Sequence, residues 1–208
     1  MKKVHFLILL SSCLLASCNN YEPTSLYVYN ANPLYTWGYA EFYGAYYEQY
    51  GIKNNTISLS LFSDSLKVND QNVLEGTGQY LFLEDVFVSP TDTLLPDGIY
   101  KISKTEAADP MTFYAGQNDT IDSEVYPIGA YISYYEENTA KSTYKLISDG
   151  TFTVSRRGTN YSITCDFVTS DSLKLKGSFN AILPHIDQSL KPQKTVSPVR
   201  RRTMTNLL

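Results

Sequence analysis

Between about residues 35 and 183, apolar side chains alternate with polar ones. A period of two is typical of β-strands that bury one face. In TNYSITCDFVT, at 159–169, every second residue is apolar and shares one face: Tyr161, Ile163, Cys165 and Phe167. Further strands are predicted at about 36–46, 55–63, 79–88, 98–103 and 128–135. No stretch shows the period of an amphipathic helix, so the pattern predicts an all-β domain.

Turn residues separate these strands. Arg157-Gly158 lies between two alternating runs and predicts a β-hairpin, and Pro96-Asp97-Gly98 precedes another strand. In SDSLKLKGSFNAIL, at 170–183, one face carries Leu173, Leu175, Phe179 and Ala181. About eight or nine strands without alternating helices predict an antiparallel β-sandwich or an up-and-down β-barrel. The sequence leaves these two architectures open.

The amino terminus has the layout of a secretory signal. Lys2 and Lys3 precede an apolar run at 4–15, which ends in small residues. That run is shorter than the roughly 20 residues that span a bilayer. The four residues at the end of this signal layout, Leu15-Ala16-Ser17-Cys18, resemble the lipobox of bacterial lipoproteins. The resemblance implies that Cys18 is diacylated on sulfur and becomes the first residue after cleavage, and more than one acyl chain gives durable membrane attachment.

These features predict four segments of the chain. Asparagine and proline mark a spacer after Cys18, and the last 25 residues contain Lys191, Lys194 and three consecutive arginines without an acid after Asp187. The basic tail could contact lipid phosphates or remain solvated. The predicted segments are a signal peptide at 1–17, the lipidated cysteine with a flexible linker at 18–34, a single all-β domain at 35–183 and a basic, disordered tail at 184–208.

Charge and cysteine content narrow the function classes. The chain has 17 basic and 21 acidic residues, and loss of Lys2 and Lys3 changes the net charge from −4 to −6, which does not favour nucleic acid as a partner. Cleavage removes Cys13 and lipidation uses Cys18, so Cys165 cannot form an intrachain disulfide. A core-facing thiol without a neighbouring base is expected to be inert.

Three segments of the chain resemble parts of known envelope proteins, and this resemblance supports a location in the cell envelope. The order LPDGIY, TFTVSRRGTNYSITCDF and LKLKGSF is similar to modules of cell-envelope lipoproteins in Bacteroidota. This resemblance implies an outer-membrane lipoprotein with a β domain, and it implies no particular activity. The residues that follow the lipidated cysteine, NNYE, leave open whether the protein faces the periplasm or the cell surface.

Few side chains suit catalysis or metal binding. His185 is the one histidine after the signal, so neither a zinc site nor a Ser-His-Asp triad is predicted, and no cofactor is expected. Glu41, Glu84 and Asp85 lie on predicted strands and keep a carboxylate-dependent hydrolase as an alternative. The acidic stretch NDTIDSE, at 118–124, could offer oxygen ligands to calcium or form a solvated loop, and we predict no metal site there.

Aromatic residues are concentrated in YTWGYAEFYGAYYEQYG at 35–51. Tyr35, Trp37, Tyr39 and Tyr43 share one parity, and Phe42 and Tyr46 share the other. One face can belong to the core, whereas the other suits stacking on sugar rings or a protein interface, or packs under a loop or second sheet. A second patch, YISYYEEN, begins at 131. The candidate ligand-binding residues are Trp37, Tyr39, Tyr43, Tyr131 and Tyr134.

An Asp-Ser/Thr-aliphatic pattern occurs four times, as DSL, DTL, DTI and DSL. It resembles the acceptor motif for protein O-glycosylation in Bacteroidota, and all four copies lie in predicted turns. The alternative is that Asp-Ser and Asp-Thr are simply good turn formers. The candidate acceptors are Ser65, Thr93, Thr120 and Ser172.

Together these patterns predict a non-enzymatic envelope lipoprotein. Its lipid anchor would hold it to the outer membrane, and its tyrosine-rich strands would bind a glycan or another envelope protein. Two alternatives stay open at this stage: a hydrolase with paired carboxylates, and a barrel that binds a small apolar ligand.

Overall fold

The described part of the chain is almost entirely β-structure. The computed structural model describes residues 29–71, 73–103, 108–121, 123–137 and 141–189. Within these ranges there is no α-helix, and a 3-10 turn lies at Glu48–Tyr50. The strands are β1 Leu34–Tyr35, β2 Trp37–Gly44, β3 Asn55–Phe62, β4 Leu66–Val68, β5 Leu74–Val88, β6 Gly98–Ile102, β7 Thr112–Phe113, β8 Gln117–Ile121, β9 Glu124–Ile128, β10 Ala130–Glu136, β11 Lys141–Arg157, β12 Asn160–Thr169, β13 Lys174–Leu175, β14 Ser178–Ile182 and β15 His185–Asp187.

Thirteen of these strands form one mixed sheet, and β8 and β9 pair separately. The main path through the large sheet runs β1-β14-β12-β11-β6-β7-β5-β3-β2-β15, and β10 also bridges β11 and β5. Most pairs are antiparallel, as expected, but β1 with β14, β2 with β15 and β6 with β7 are parallel. The expectation of a purely antiparallel arrangement is therefore wrong at these three pairs.

The expected count of eight or nine strands is also too low. Five strands, β1, β4, β7, β13 and β15, contain only two or three residues. A segment of that length cannot display an alternating pattern, because it has at most one repeat of the period. The long strands were predicted only in part: β5 has 15 residues where 79–88 was expected, and β11 has 17, of which the alternating run before Arg157 predicted only the end.

The predicted hairpin and its buried face are confirmed. β11 and β12 are antiparallel up to the pair Arg157 and Asn160, and Gly158 in the connecting turn has a φ of 66°, which glycine adopts without steric cost. Along β12, burial alternates at every residue, and Cys165 is only 5% exposed. Burying each such apolar side chain contributes about 1.5–3 kcal/mol.

Aromatic rings fill much of the core between the strands. Tyr100 stacks on Phe152 with 4.5 Å between ring centroids, and Phe113 lies 5.4 Å from Phe152 and 5.7 Å from Phe167. Residues from β3 and β5 complete the same cluster, including Leu59. Large side chains from β6, β7, β11 and β12 thus pack in one core with residues of β3 and β5.

The predicted shared face of Tyr35 and Trp37 is wrong. Tyr35 lies in the core, whereas Trp37 lies on the opposite face, away from Ala40 and the other core residues of β2. The chain changes partner at Thr36, because β1 pairs with β14 and β2 pairs with β3. This interruption shifts the phase of the alternation, so the parity rule fails across it.

The ordered structure extends beyond 35–183 at both ends. The carbonyls of Ala31 and Pro33 accept hydrogen bonds from the amides of Lys176 and Ser178, at 2.7 and 3.0 Å. At the other end β15, inside the predicted tail, pairs with β2. Both segments are held by backbone hydrogen bonds. Such bonds do not depend on apolar side chains, so an alternating apolar pattern does not reveal them. Cys18, with the rest of 1–28, and the stretch 190–208 lie outside the described residues.

In the described part of the chain, no helix has the length and apolar character needed to span a membrane.

Candidate functional site

A groove opens at the end of the sheet where β1 begins and β3 ends. Its volume is about 420 Å³, within the range of about 300–1,000 Å³ that small-molecule sites occupy. We call it the amino-terminal groove. It is lined by Asn30, Pro33, Leu34, Thr36, Ser63, Asp64, Ser65, Gly78, Gln79 and Tyr134.

Gln79 fixes one wall of the groove. Its side chain is 5% exposed, and its Oε1 accepts the amide hydrogen of Asn30 at 3.2 Å while its Nε2 donates to the carbonyl of Asn30 at 3.1 Å. One side chain thus satisfies both backbone groups of Asn30. This pair of bonds holds the amino-terminal segment across the end of the sheet.

The turn at 63–65 forms a second, polar wall. The amide of Ser63 donates to the carbonyl of Gln79 at 3.2 Å, and the two serine hydroxyls are 3.3 Å apart. A methyl group on Gly78 would lie 2.4 Å from the hydroxyl of Ser63 and 2.6 Å from that of Ser65. Because glycine has no side chain, the turn packs directly against β5. Asp64, at the centre of the turn, is exposed.

Tyr134 supplies an aromatic ring to this polar site. It lies on β10 opposite Gln79 of β5, and it shares the face of Ile132, a core residue. Its side chain is half-buried. The groove therefore combines hydroxyl, amide and carboxylate groups with one aromatic ring, a set that suits a ligand with hydroxyl groups around an apolar ring face.

Trp37 and Tyr39 lie on the opposite face of β2 from the core. The Trp37 ring stacks on Phe62, with centroids 4.0 Å apart and planes 9° apart, and its Nε1 donates to the carbonyl of Leu66 at 2.7 Å. Tyr39 lies 6.0 Å from the same Phe62 ring. Both residues are half-buried. One face of the Trp37 indole ring and its only hydrogen-bond donor, Nε1, are thus already used in contacts within the fold.

Tyr131 and Tyr43 complete the set of aromatic candidates. Tyr131 pairs with Phe82 of β5, shares the face of Tyr39 and is 6% exposed, and burial raises the pKa of its hydroxyl well above the usual value. Tyr43 lies at a β-bulge between Phe42 and Gly44, and its hydroxyl donates to Glu41 at 3.0 Å. The structure therefore brings Trp37, Tyr39 and Tyr131 to one face of the sheet, and of the five candidates only Tyr134 lines the groove.

The three candidate acids accept hydrogen bonds within the fold. Glu84 and Asp85 are each 1% exposed; Glu84 accepts the amide hydrogen of Gly129 at 2.8 Å, and Asp85 accepts the hydroxyl of Tyr47 at 2.9 Å. Glu41 accepts from Tyr43, from Ser58 at 3.2 Å and from Gln188 at 2.8 Å. None of the three lines the amino-terminal groove.

His185 connects β15 to the loop before β6. Its Nε2 accepts the amide hydrogen of Leu95 at 3.3 Å, and its Nδ1 lies 3.1 Å from the carbonyl of Leu183. An amide can only donate and a carbonyl can only accept, so these contacts fit the neutral ring with its proton on Nδ1. Burial lowers the pKa of His185. Both ring nitrogens are thus engaged in positioning β15.

The four candidate O-glycosylation residues are all exposed. Ser65, Thr93 and Ser172 lie in turns or bends, but Thr120 lies on β8, so the predicted turn is wrong there. The acidic stretch at 118–124 forms the β8–β9 hairpin, in which Asn118 accepts the hydroxyl of Tyr144 at 2.9 Å and Asp122 lies outside the described residues. Among described residues, no group of three or more His, Cys, Asp or Glu could hold a metal ion.

The groove contains residues that the sequence did not single out. Asn30 and Asp64 are 34 positions apart, and they meet because the amino-terminal segment is held by Gln79 and runs parallel to β14. Only Ser65 and Tyr134 were candidates, each for a separate reason. No local pattern signals this arrangement, since it depends on pairing between distant parts of the chain.

Comparisons with known proteins add no assignment: no protein-family model matches this chain, and neither the curated proteins nor the solved structures contain a significant match.

Proposed function

We propose that this protein is a non-enzymatic binding module, held at the outer membrane by lipid on Cys18, whose amino-terminal groove binds a neutral glycan. The observation that carries the proposal is the lining of the groove, which combines Tyr134 with the polar residues Ser63, Asp64 and Ser65. Hydroxyl and carboxylate oxygens bind the hydroxyls of a sugar, and an aromatic ring packs on its apolar face.

The charge of the groove favours a neutral ligand. Among the described residues that line it, Asp64 is the one acidic residue, and there is neither lysine nor arginine. An acidic sugar or a phosphate would meet a carboxylate without a compensating cation, which costs binding free energy. A neutral saccharide instead uses the carboxylate as a hydrogen-bond acceptor.

A glycan array with neutral and acidic oligosaccharides tests this function. We expect the wild-type protein to bind neutral glycans, and we expect Tyr134→Ala to bind them about tenfold more weakly, which corresponds to about 1.4 kcal/mol. Tyr43→Ala is the matched control, since Tyr43 is a half-buried tyrosine outside the groove. Thermal melting of each variant separates loss of binding from loss of folding. Equal binding by both variants would refute the proposed site.

For the architecture, we infer that the large sheet closes into a barrel. β1 and β2 belong to one extended segment, and β14 and β15 belong to another that runs parallel to it, with Leu34 opposite Ser178 and Ala40 opposite His185. β2 also pairs with β3, so the path through the sheet returns to the segment where it began. Closure removes exposed sheet edges, which is stabilising and prevents edge-to-edge association.

Amide exchange tests the closure. The amide of Ala40 donates to the carbonyl of Pro184 at 2.9 Å. A closed sheet predicts slow exchange along both edges of β2, including Ala40. Fast exchange at Ala40, with slow exchange at its neighbours that pair with β3, would indicate an open sheet.

A further inference from the structure

The amino-terminal groove lies at a fork between two segments of the sheet. β2 and β3 pair up to Trp37 and Phe62, and the amide of Thr36 donates to the carbonyl of Phe62 at 2.9 Å. Beyond this point β1 pairs with β14 and β4 pairs with β5, so the two segments part. Thr36 and Ser63, one on each side of the fork, line the groove. The stacked rings of Trp37 and Phe62 therefore lie at the base of the fork.

Two hydroxyls of the groove wall lie on the same face of β5 as Tyr80. Gly78 and Tyr80 are two positions apart, and β5 pairs with β10 in unbroken register here, so both positions point to one face. A methyl group on Gly78 would lie 2.4 Å from the hydroxyl of Ser63 and 2.6 Å from that of Ser65. Two strand positions span about 7 Å. The groove wall and the ring of Tyr80 are thus neighbours on one surface.

Four aromatic residues continue this surface, and we call them the aromatic row: Trp37, Tyr39, Phe62 and Tyr80. Phe62 is opposite Trp37 on one side and Tyr80 on the other, with ring centroids 4.0 and 5.5 Å away. Tyr39 lies 6.0 Å from the same Phe62 ring. Trp37, Tyr39 and Tyr80 are half-buried, so their rings keep some exposed surface. The row therefore extends the groove by an uncharged aromatic surface.

The area of the aromatic row indicates the size of its partner. A buried aromatic side chain covers about 150–250 Å², so three half-buried rings offer less than about 400 Å². A stable protein interface needs roughly 800 Å² on each partner. The row is too small for a protein, whereas a sugar ring can pack its apolar face on one aromatic ring and bond to the hydroxyls of Tyr39 and Tyr80.

We propose that the aromatic row is a second subsite beside the amino-terminal groove, and that the ligand is a linear neutral oligosaccharide. One end of the chain lies in the groove, and the following sugars pack along the row. This inference rests on the proposed function, because the groove is the first subsite. The row has no charged side chain, so it preserves the preference of the groove for a neutral ligand.

Calorimetric titration with sugars of two lengths tests the second subsite. The probes are neutral disaccharides and hexasaccharides built from glucose, galactose, mannose or xylose units. We expect the hexasaccharide of the bound series to bind about tenfold more tightly than its disaccharide, because only the longer chain reaches the row. We expect Trp37→Ala to remove this gain and to leave the affinity for the disaccharide unchanged, whereas Tyr134→Ala weakens both.

Two further variants keep this test independent of folding. Trp37 also donates from Nε1 to the carbonyl of Leu66 at 2.7 Å, so Tyr39→Ala serves as a second row variant that leaves this bond in place. Tyr43→Ala is the matched control, since Tyr43 is a half-buried tyrosine of the same strand outside the row, and it should keep the full gain. Thermal melting establishes that each variant is folded.

Quenching of tryptophan emission by acrylamide reports on the row directly. Trp37 is the only tryptophan of the chain, so the emission comes from the row itself. We expect a saturating hexasaccharide to reduce the quenching and a saturating disaccharide to leave it unchanged, because only the longer chain covers the indole ring. Quenching that is the same with and without the hexasaccharide overturns the inference.

The titrations separate this inference from the proposed function. If Tyr134→Ala weakens binding but both lengths bind equally, or if the gain survives both row variants, the groove stands and the second subsite is wrong. Equal weakening of both lengths by Trp37→Ala also overturns the second subsite. If no sugar of either length binds, the proposed function and the inference fail together.

Discussion

At the residue scale, several buried polar groups are matched to specific partners. The hydroxyl of Tyr47, which is fully buried, donates to the carboxylate of Asp85, and the carboxylate of Glu84 accepts from Gly129. A buried acceptor that loses its donor is costly, because water cannot replace the lost hydrogen bond. These hydrogen bonds explain how β5 can bury the two acidic residues Glu84 and Asp85.

Removal of one hydroxyl should therefore have a measurable cost. We expect Tyr47→Phe to lower the free energy of unfolding by about 1–3 kcal/mol, because Asp85 then lacks this donor in a buried site. Tyr50→Phe is the control, since Tyr50 is 45% exposed. Urea unfolding measures both. A Tyr47→Phe variant as stable as the control would show that the hydrogen bond contributes nothing.

The thiol of Cys165 should be unreactive in the folded protein. Burial raises the pKa of Cys165 to about 12, so the reactive thiolate is scarce near neutral pH. We expect no alkylation by iodoacetamide at about pH 8 in the native protein and rapid alkylation in urea. Mass spectrometry provides the measurement, and alkylation of the native protein at the unfolded rate would contradict the buried position.

The positions of individual residues were predictable only within uninterrupted strands. Parity placed Cys165 and Phe167 in the core, because β12 alternates without a break. The same rule failed for Tyr35, since the change of partner at Thr36 leaves no mark in the sequence. The groove residue Gln79 was not singled out, because its role depends on a backbone segment 49 positions away.

At the element scale, the long strands and the hairpin follow from local chemistry, whereas the short parallel strands do not. β11 and β12 are joined by a turn in which Gly158 supplies a positive φ. β15 lies inside the predicted disordered tail at 184–208, because its three residues are too few to show an alternating pattern. Its stability comes from backbone pairing with β2 and from the two contacts of the His185 ring.

The contacts of His185 predict that stability depends on pH. Burial lowers its pKa below the usual value of about 6.5, so the folded state favours the neutral ring. This contribution is present above about pH 6.5 and is lost as the pH falls through the folded-state pKa. We expect the melting temperature to fall between about pH 7.5 and 5.5, and to fall less in His185→Asn. Identical pH dependence in both proteins would exclude His185 as the cause.

At the scale of the whole molecule, the structure pairs segments from the two ends of the described region, 29–44 with 178–187, in the sheet. The segment at 29–35 runs beside β14, and β15 runs beside β2. The all-β class was predictable from period two, but this arrangement was not, since pairing between segments about 145 positions apart has no local signal. The amino-terminal groove is a consequence of that pairing. Because the sequence shows only local patterns, it indicated clustered aromatic residues as ligand-binding candidates and did not indicate the groove.

The lipid anchor is tested at this scale. We expect Cys18→Ala to abolish incorporation of an alkyne-labelled fatty acid and to move the protein from the detergent phase to the aqueous phase, because the acyl chains are the proposed membrane attachment. Cys165→Ala is the matched control, since it removes the other cysteine downstream of the signal and should keep the label. Labelling of the Cys18→Ala variant would contradict the anchor.

The central claim is that the amino-terminal groove binds a neutral glycan, and calorimetric titration of the full-length protein tests it most directly. The titrant is the neutral glycan that gives the strongest signal on the array, and the proteins are the wild type, Tyr134→Ala, Asp64→Ala and the Tyr43→Ala control. We predict a dissociation constant about tenfold larger for each groove variant, equivalent to about 1.4 kcal/mol, and an unchanged constant for the control. Unchanged affinity in both groove variants, with all four proteins folded, would contradict the claim.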